Sequence, residues 1–217
     1  MSRALALDLY LITDRGLCAA RGIERVVGEA VAGGVTMVQL RDDLTPAAEL
    51  VPLARRLAEL LAPSGVPLIV NNALEVAAAA GAAGVHVGQA DASPAEARAR
   101  LGPDAIVGLS ITAPAQVAAV PVDQVDYLGV GPIYATATKP DAAPPIGLAG
   151  LAEVRSRTRL PIVAIGGIDA GNAAAVIAAG AGGIAVVSAL CAAVEPRAAA
   201  RVLALAVARA RRQEGLG

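Results

Sequence analysis

The feature that most limits how this chain can fold is an eightfold alternation of short β-branched runs with alanine-rich segments. The runs predict strands at residues 7–12, 37–41, 67–72, 84–88, 105–111, 127–131, 161–166 and 183–188. Strands that alternate with helices along a whole chain predict a parallel sheet joined by crossover helices. Eight such units in 217 residues are typical of a (β/α)8 TIM barrel. An open doubly wound sheet is the alternative, but its glycine-rich first turn is missing from ITDRGLC.

Length and composition agree with one large domain. The chain is 56% hydrophobic, which is enough to fill a sizeable core, so we expect residues 1–217 to form a single α/β TIM-barrel domain. Its net charge of −1 provides no basic surface for nucleic acid. The only aromatic residues, Tyr10, Tyr127 and Tyr134, are too few for base-stacking platforms.

One uncharged segment raises the question of a membrane span. No charged residue occurs between Asp169 and Glu195, a length that would cross a bilayer as a helix. Glycines cluster at 180–183, however, so the segment predicts a helix, a turn and a buried strand. Asp8 interrupts the apolar N-terminal run, and the two cysteines have no paired spacing, so neither a secretory signal nor a metal or redox motif is indicated. We expect a cytoplasmic protein without membrane partners.

Polar residues and glycines stand at the end of nearly every predicted strand. In chain order they are Thr13, Asp14, Gln39, Arg41, Asn71, Asn72, Gln89, Asp91, Ser110, Thr136, Thr138, Lys139, Gly166, Gly167 and Ser188. The carboxyl ends of the strands form the active-site face of a TIM barrel. We therefore expect these residues to converge on one rim.

Two kinds of anion site are indicated at this rim. Gly167 and Ser188 match the phosphate site that barrels build after strands seven and eight, and we expect a helix to begin just beyond each of them. Arg41, Asp91 and Lys139 instead suit a metal-bound polyphosphate, because they combine cations with an oxygen ligand for the metal.

Some residues have structural interpretations that the sequence leaves open. Arg41 can form an ion pair with Asp42 or Asp43. Asn72 can cap the helix that follows it. His86, the only histidine, lies between valines in the middle of a predicted strand, which favours a hydrogen-bonded interior residue over a general base.

Asp91 precedes a helix start that has its own cap. Ser93 and Glu96 have the spacing of a capping box, and Pro94 stands at the favoured first helical position. The carboxylate of Asp91 is therefore left for another role.

A series of motifs gives the sequence a resemblance to a known family. In order they are LYLITD, VQLR, GVHVGQ, GLS, GVGPIYATATKPD, AIGGI and AVVSAL, and they extend over essentially the whole chain. The chain resembles the thiamine phosphate synthases and the related thiazole tautomerases. The resemblance implies a transferase of thiamine biosynthesis that uses Mg²⁺. Such an enzyme couples hydroxymethylpyrimidine diphosphate to hydroxyethylthiazole or carboxythiazole phosphate and releases diphosphate.

The resemblance also implies roles for individual residues. The catalytic residues would be Arg41, Ser110 and Lys139. The pyrimidine diphosphate would be bound by Gln39, Arg41, Asp43, Asn71, Ser110 and Lys139. The thiazole phosphate would be bound by Thr136, Ala137, Thr138, Gly167, Val187 and Ser188. The Mg²⁺ ligands would be Asp91 and Asn72.

Two positions depart from the family pattern, and two other functions stay open. Asp43 stands where the family usually has lysine, and Asn72 stands where it usually has aspartate. A thiazole tautomerase would need a histidine in the loop after strand six, where Pro132 stands. A non-catalytic phosphate-binding barrel is favoured only by Asp43 and Asn72. We expect phosphorylated small molecules as partners, and a homo-oligomer remains open.

Overall fold

The computed structural model describes residues 5–139 and 142–215. Its strands are β1 Leu9–Ile12, β2 Met37–Leu40, β3 Leu68–Asn71, β4 Gly84–Val87, β5 Ile106–Ile111, β6 Tyr127–Val130, β7 Ile162–Ile165 and β8 Gly183–Val186. They form a closed parallel barrel in sequence order, in which β8 pairs with β1. The expected α/β TIM barrel is confirmed. Pro140 and Asp141, the last two residues of the GVGPIYATATKPD motif, lie outside the described residues.

All eight predicted strands are present, but the predicted ranges are one or two residues too long at one or both ends. The backbone leaves the extended region at several of these ends. Asn72 has a φ of 57° and Gly166 a φ of 98°, so neither residue continues its strand. Ser188, predicted as the end of the eighth strand, is the first residue of a helix.

The helices lie outside the barrel, and each follows a strand in the sequence. They are α1 Arg15–Cys18, α2 Ile23–Ala32, α3 Ala47–Leu61, α4 Leu74–Ala80, α5 Pro94–Leu101, α6 Gly147–Arg157, α7 Ala173–Ala178, α8 Ser188–Cys191 and α9 Pro196–Gln213. Short 3-10 helices occur at Ala62–Ser64 and Pro114–Ala119. The C-terminal helix α9 packs against α2 and α7 and so completes the outer ring.

Helix starts follow the local sequence where a capping residue exists. Ser93 Oγ accepts a hydrogen bond from Glu96 N, and Ser93 N donates to Glu96 Oε2, so the predicted capping box is present. Asp91 does not take part in capping this helix. Asn72, in contrast, does not cap α4. That helix begins at Leu74 with Ala73 as its N-cap, so the capping interpretation of Asn72 is wrong.

The strands alternate between the two sides of the barrel wall. Leu9 and Leu11 are fully buried, whereas Tyr10 and Ile12 line a cavity inside the barrel. Successive side chains of a strand point to opposite faces, so the leucines pack towards the surrounding helices. Burial of each such leucine stabilises the fold by about 1.5–3 kcal/mol.

Two glycines make room for rings inside the barrel. A Cβ atom on Gly108 would lie 2.2 Å from Tyr127 Cζ and 2.4 Å from His86 Nδ1. A Cβ atom on Gly129 would lie 2.7 Å from His86 Cε1. These positions in β5 and β6 must therefore be small for both rings to occupy the barrel interior.

The uncharged segment between Asp169 and Glu195 folds as the sequence predicts. It contains α7, a turn around Gly180, the buried strand β8 and the short helix α8. Among the residues that the structure describes, no helix combines the length and apolar character needed to cross a membrane.

Candidate active site

An open cavity of about 170 Å³ lies at the carboxyl ends of the strands. Many of the residues that the sequence singles out line it. These are Gln39, Arg41, Asn71, Ser110, Thr136, Thr138, Lys139, Val187 and Ser188. The convergence of polar groups on one barrel end, expected from the strand pattern, is therefore present in the structure.

Other predicted site residues lie beside the cavity and do not line it. They are Asp43, Asn72, Asp91, Ala137 and Gly167. Asp91 Oδ2 accepts a hydrogen bond of 2.7 Å from Gly88 N, which fixes the loop after β4. Gln89 also follows β4, and its Nε2 donates a hydrogen bond of 2.7 Å to the carbonyl oxygen of Ser110.

Thr13 and Asp14, at the end of β1, have structural roles. Thr13 is buried and its Oγ1 accepts a hydrogen bond from Arg41 N, which ties β1 to the end of β2. Asp14 caps α1 by accepting a hydrogen bond from Leu17 N.

A continuous chain of hydrogen bonds crosses the cavity floor. Gln39 Nε2 donates to Tyr10 OH at 2.8 Å, and the hydroxyls of Tyr10 and Tyr127 are 3.0 Å apart. His86 Nδ1 lies 2.9 Å from Tyr127 OH, and His86 Nε2 lies 2.9 Å from Ser110 Oγ. Side chains from β1, β2, β4, β5 and β6 are thus linked, and the Ser110 hydroxyl is held in place at one end.

Burial keeps this chain uncharged. It lowers the pKa of His86 from 6.5 to about 4, so the imidazole is neutral near pH 7. Burial also raises the pKa of Tyr10 and of Tyr127 above its ordinary value. The expectation of a hydrogen-bonded interior histidine is confirmed, although the ring also contacts a predicted site residue, Ser110.

The ends of β2 and β3 and the loop after β2 carry a compact charged cluster. Arg41 Nε and Nη2 donate to Asp43 Oδ2 at 3.0 and 2.9 Å, and Asn71 Nδ2 donates to Asp43 Oδ1 at 3.2 Å. Of the two ion pairs that the sequence allows for Arg41, the structure forms the one with Asp43. Asp42 pairs with Arg15 instead. We call the rim formed after β2, β3 and β4 the β2–β4 side.

The opposite rim is built mainly from hydroxyls and backbone, and we call it the β6–β8 side. Thr136 Oγ1 and Thr138 Oγ1 are 3.0 Å apart in the loop after β6. Tyr134 N donates to Gly166 O at 3.0 Å, so this loop is tied to the end of β7. Gly167 follows with a φ of 63°, and a Cβ atom there would lie 2.6 Å from Ala135 O.

The expected helix starts on the β6–β8 side are correct at one position and wrong at the other. Ser188 is the first residue of α8, directly after Val187. The helix after β7 begins only at Ala173, because Asp169 and Asn172 form an intervening turn. Asn172 Nδ2 donates to Gly167 O, so that turn holds the glycine from behind.

Comparison with known proteins assigns the family. The model of the family described as thiamine monophosphate synthase matches residues 9–190. The chain belongs to the thiamine monophosphate synthase family.

Curated relatives of this family extend over the whole chain. A thiamine-phosphate synthase of Azorhizobium caulinodans is 54% identical over 212 residues, which are 98% of this chain and 100% of the relative. One of Xanthobacter autotrophicus is 54% identical over 211 residues, which are 97% of this chain and 100% of the relative. The solved thiamine phosphate pyrophosphorylase of Pyrococcus furiosus is 34% identical, with a TM-score of 0.86 and coverage of 94% of this chain and 96% of that chain.

These findings confirm the function expected from the family resemblance. The chain is an enzyme of thiamine biosynthesis, a thiamine phosphate synthase and hence a transferase that releases diphosphate. The thiazole tautomerase and the non-catalytic barrel gain no support from the relatives' names.

Part of the cavity lining does not belong to the site residues predicted from the sequence. Tyr10 lines the cavity, and so does Ile12 two residues later. Tyr127 is buried two residues before Gly129, which lines the cavity, so the strand alternation by itself could have placed both rings inside the barrel. Thr112, just beyond β5, also lines the cavity and was not predicted. No comparable signal in the sequence indicates that Tyr127 would contact His86.

Proposed function

We propose that the chain binds the two substrates of its reaction on opposite sides of the cavity. The observation that carries this proposal is the separation of two unlike sets of anion-binding groups. One set consists of charged and amide side chains on the β2–β4 side, and the other of hydroxyls and backbone groups on the β6–β8 side. A reaction that joins a diphosphate ester to a phosphate ester needs two such sites.

The pyrimidine diphosphate is assigned to the β2–β4 side together with Lys139, which reaches the same cavity from the loop after β6. In the proposed reaction the bond between the pyrimidine methylene carbon and the diphosphate oxygen breaks, and diphosphate leaves with the electron pair. The thiazole nitrogen then donates its lone pair to the methylene carbon. Arg41 and Lys139 are cations placed to neutralise the charge that develops on the leaving group.

The cavity floor orients the pyrimidine half of the substrate in this proposal. Ser110 presents its hydroxyl beside the reacting methylene, because His86 holds it from below. Gln39 and Asn71 line the same side and supply amide groups for the substrate. Asp43 lies next to this set through its contacts with Arg41 and Asn71.

The thiazole phosphate is assigned to the β6–β8 side. Thr136 and Thr138 supply hydroxyls within one short loop, and Ala137 lies between them. Gly167 follows β7 and allows a close approach of backbone. The remaining residues of this subsite are Val187 and Ser188, which line the cavity after β8.

The residues present are compatible with Mg²⁺ that keeps water and phosphate oxygens as ligands. Among the described residues no three carboxylate, histidine or cysteine groups cluster as a metal site, so the protein alone does not form a full cage. Mg²⁺ is commonly held by one or two carboxylates plus substrate phosphates. Asp91 and Asn72 offer exposed oxygens after the neighbouring strands β4 and β3 and would hold it, and the bound ion would stabilise the departing diphosphate.

We further propose that the enzyme acts in the cytoplasm as one barrel domain on phosphorylated small molecules. Cys18 and Cys191 are buried, free thiols whose side chains contact each other, and such pairs stay unlinked in a reducing compartment.

Diphosphate release from the purified protein tests the proposed reaction. We expect release only when both hydroxymethylpyrimidine diphosphate and thiazole phosphate are supplied, and only with Mg²⁺. Reactions with either substrate alone, and with EDTA in place of Mg²⁺, are the controls. Release from the pyrimidine substrate alone at the full rate, or full activity in EDTA, would contradict the proposal.

A further inference from the structure

The diphosphate subsite contains an anion of its own. The carboxylate of Asp43 is bound on one oxygen by the Arg41 guanidinium and on the other by the Asn71 amide. These are two of the groups assigned above to the pyrimidine diphosphate. Asp43 is therefore a competitor for the same hydrogen-bond donors.

The ion pair between Arg41 and Asp43 lies where an incoming anion can displace the carboxylate. Asp43 is two residues from Arg41 on the loop after β2, and about half of its side chain is exposed, 51% against 22% for Arg41. An ion pair with one partner this exposed contributes little net stability. Displacement of the carboxylate into water therefore costs little free energy, but its negative charge remains beside the subsite.

The charge of the displaced carboxylate distinguishes two forms of diphosphate. Metal-free diphosphate carries several negative charges and is repelled by Asp43, whereas Mg²⁺ bound to diphosphate offsets much of that charge. We propose that Asp43 makes the subsite selective for the metal complex over metal-free diphosphate. This inference rests on the proposed function, because it takes Arg41 and Asn71 as diphosphate-binding groups.

The selectivity has a chemical consequence for the reaction. A pyrimidine diphosphate that bound without metal would occupy the site without the cation needed for departure of the leaving group. Asp43 weakens that unproductive complex more than the productive one. A lysine at the same position would favour both forms and would not discriminate between them in this way.

Calorimetric titration of sodium diphosphate into the full-length protein tests the inference without any turnover. Titrations in EDTA and in excess MgCl₂ are compared for wild type, Asp43→Asn and a matched charge control, Glu49→Gln. Glu49 is an exposed carboxylate in the first turn of α3, the helix that follows the same loop. The amide of Asp43→Asn has nearly the same shape as the carboxylate, so the loop is retained.

We expect Asp43→Asn to bind metal-free diphosphate about fivefold more tightly than wild type. Binding in MgCl₂ should change less, and Glu49→Gln should behave as wild type in both buffers. Unchanged or weaker metal-free binding by Asp43→Asn, while wild type still binds diphosphate, would overturn this inference alone. A selective loss of binding in MgCl₂ would identify Asp43 as a metal ligand and would also overturn it. Failure of all three proteins to bind diphosphate in either buffer would refute the proposed diphosphate subsite and this inference together.

Discussion

The two sides of the cavity offer an anion different kinds of partner. On the β2–β4 side, Arg41, Asp43 and Asn71 are bound to one another through their side chains. On the β6–β8 side, the loop after β6 is tied to the end of β7 by backbone hydrogen bonds, and Gly167 supplies no side chain at all. The first side is thus defined by charge and the second by backbone shape.

The two sides should respond differently to substitution. Side-chain charges can be exchanged one at a time, and the two positions that the sequence predicts to depart from the family pattern, Asp43 and Asn72, both lie on the β2–β4 side. A backbone site changes only when its geometry changes, and the motifs around Gly167 and Ser188 agree with the family pattern. Substitutions that remove a charge should therefore mainly affect the β2–β4 side, and substitutions that add a Cβ atom should mainly affect the β6–β8 side.

The largest effect is expected from Arg41→Ala. Loss of this guanidinium should lower kcat by roughly 10²-fold or more, because the leaving diphosphate loses a cation. The KM for thiazole phosphate should stay close to the wild-type value, since that substrate is assigned to the other side. Arg15→Ala is the matched control, because it removes an equal charge from the Arg15–Asp42 pair nearby. Equal losses in both variants, or unchanged kcat in Arg41→Ala, would contradict the assignment.

A second prediction concerns the neutral floor between the two sides. His86 has an ordinary pKa of 6.5 that burial lowers to about 4, so the unfolded chain binds more protons between these values. Stability should therefore be fully present above pH 6.5 and fall as the pH drops towards 4. The expected loss between pH 7 and pH 5 is about 2 kcal/mol from this residue.

Urea unfolding at the two pH values measures that loss. The variant His86→Asn should be less stable at pH 7 but should show a smaller loss between pH 7 and pH 5 than wild type. If wild type and His86→Asn lost equal stability over this range, His86 would not be buried as a neutral group.

The smallest of these effects is expected from Gly167→Ala. The added Cβ atom would meet Ala135 O at 2.6 Å in a backbone conformation with φ of 63°, so the β6–β8 side must shift. The KM for thiazole phosphate should rise about tenfold, whereas diphosphate binding should be unaffected. Gly65→Ala is the matched control, because Gly65 has a φ of 67° and a Cβ atom there meets nothing within 4 Å. An equal rise in KM for the control would assign the effect to backbone strain in general.

The sequence was sufficient for the fold because the local signals agree with one another. The β-branched runs of the eight strands and the Ser93–Glu96 capping box all lie within short segments, and the structure has them where they were predicted. Capping chemistry alone does not locate the start of α4, because Asn72 adopts a φ of 57° and leaves Ala73 as the N-cap.

The sequence predicts which residues lie at the active-site face, because a parallel barrel places the carboxyl ends of all its strands at one rim. It does not predict which of these residues contact one another. The choice of Asp43 over Asp42 as the partner of Arg41 depends on the path of the loop, which no local pattern specifies. The contact between Tyr10 and Tyr127 joins residues 117 positions apart and depends on barrel closure. It also requires a residue without a side chain at Gly108, because a Cβ atom there would overlap the ring of Tyr127.

The most direct test of the account is whether the two anions bind at the same time. Thiazole phosphate is titrated by calorimetry into protein that is saturated with Mg²⁺ and diphosphate, and into protein without diphosphate. We expect one equivalent of thiazole phosphate to bind in both cases, with little change in affinity. Competition, in which saturating diphosphate prevents thiazole phosphate from binding, would show that the two sides of the cavity form a single anion site and would contradict the account.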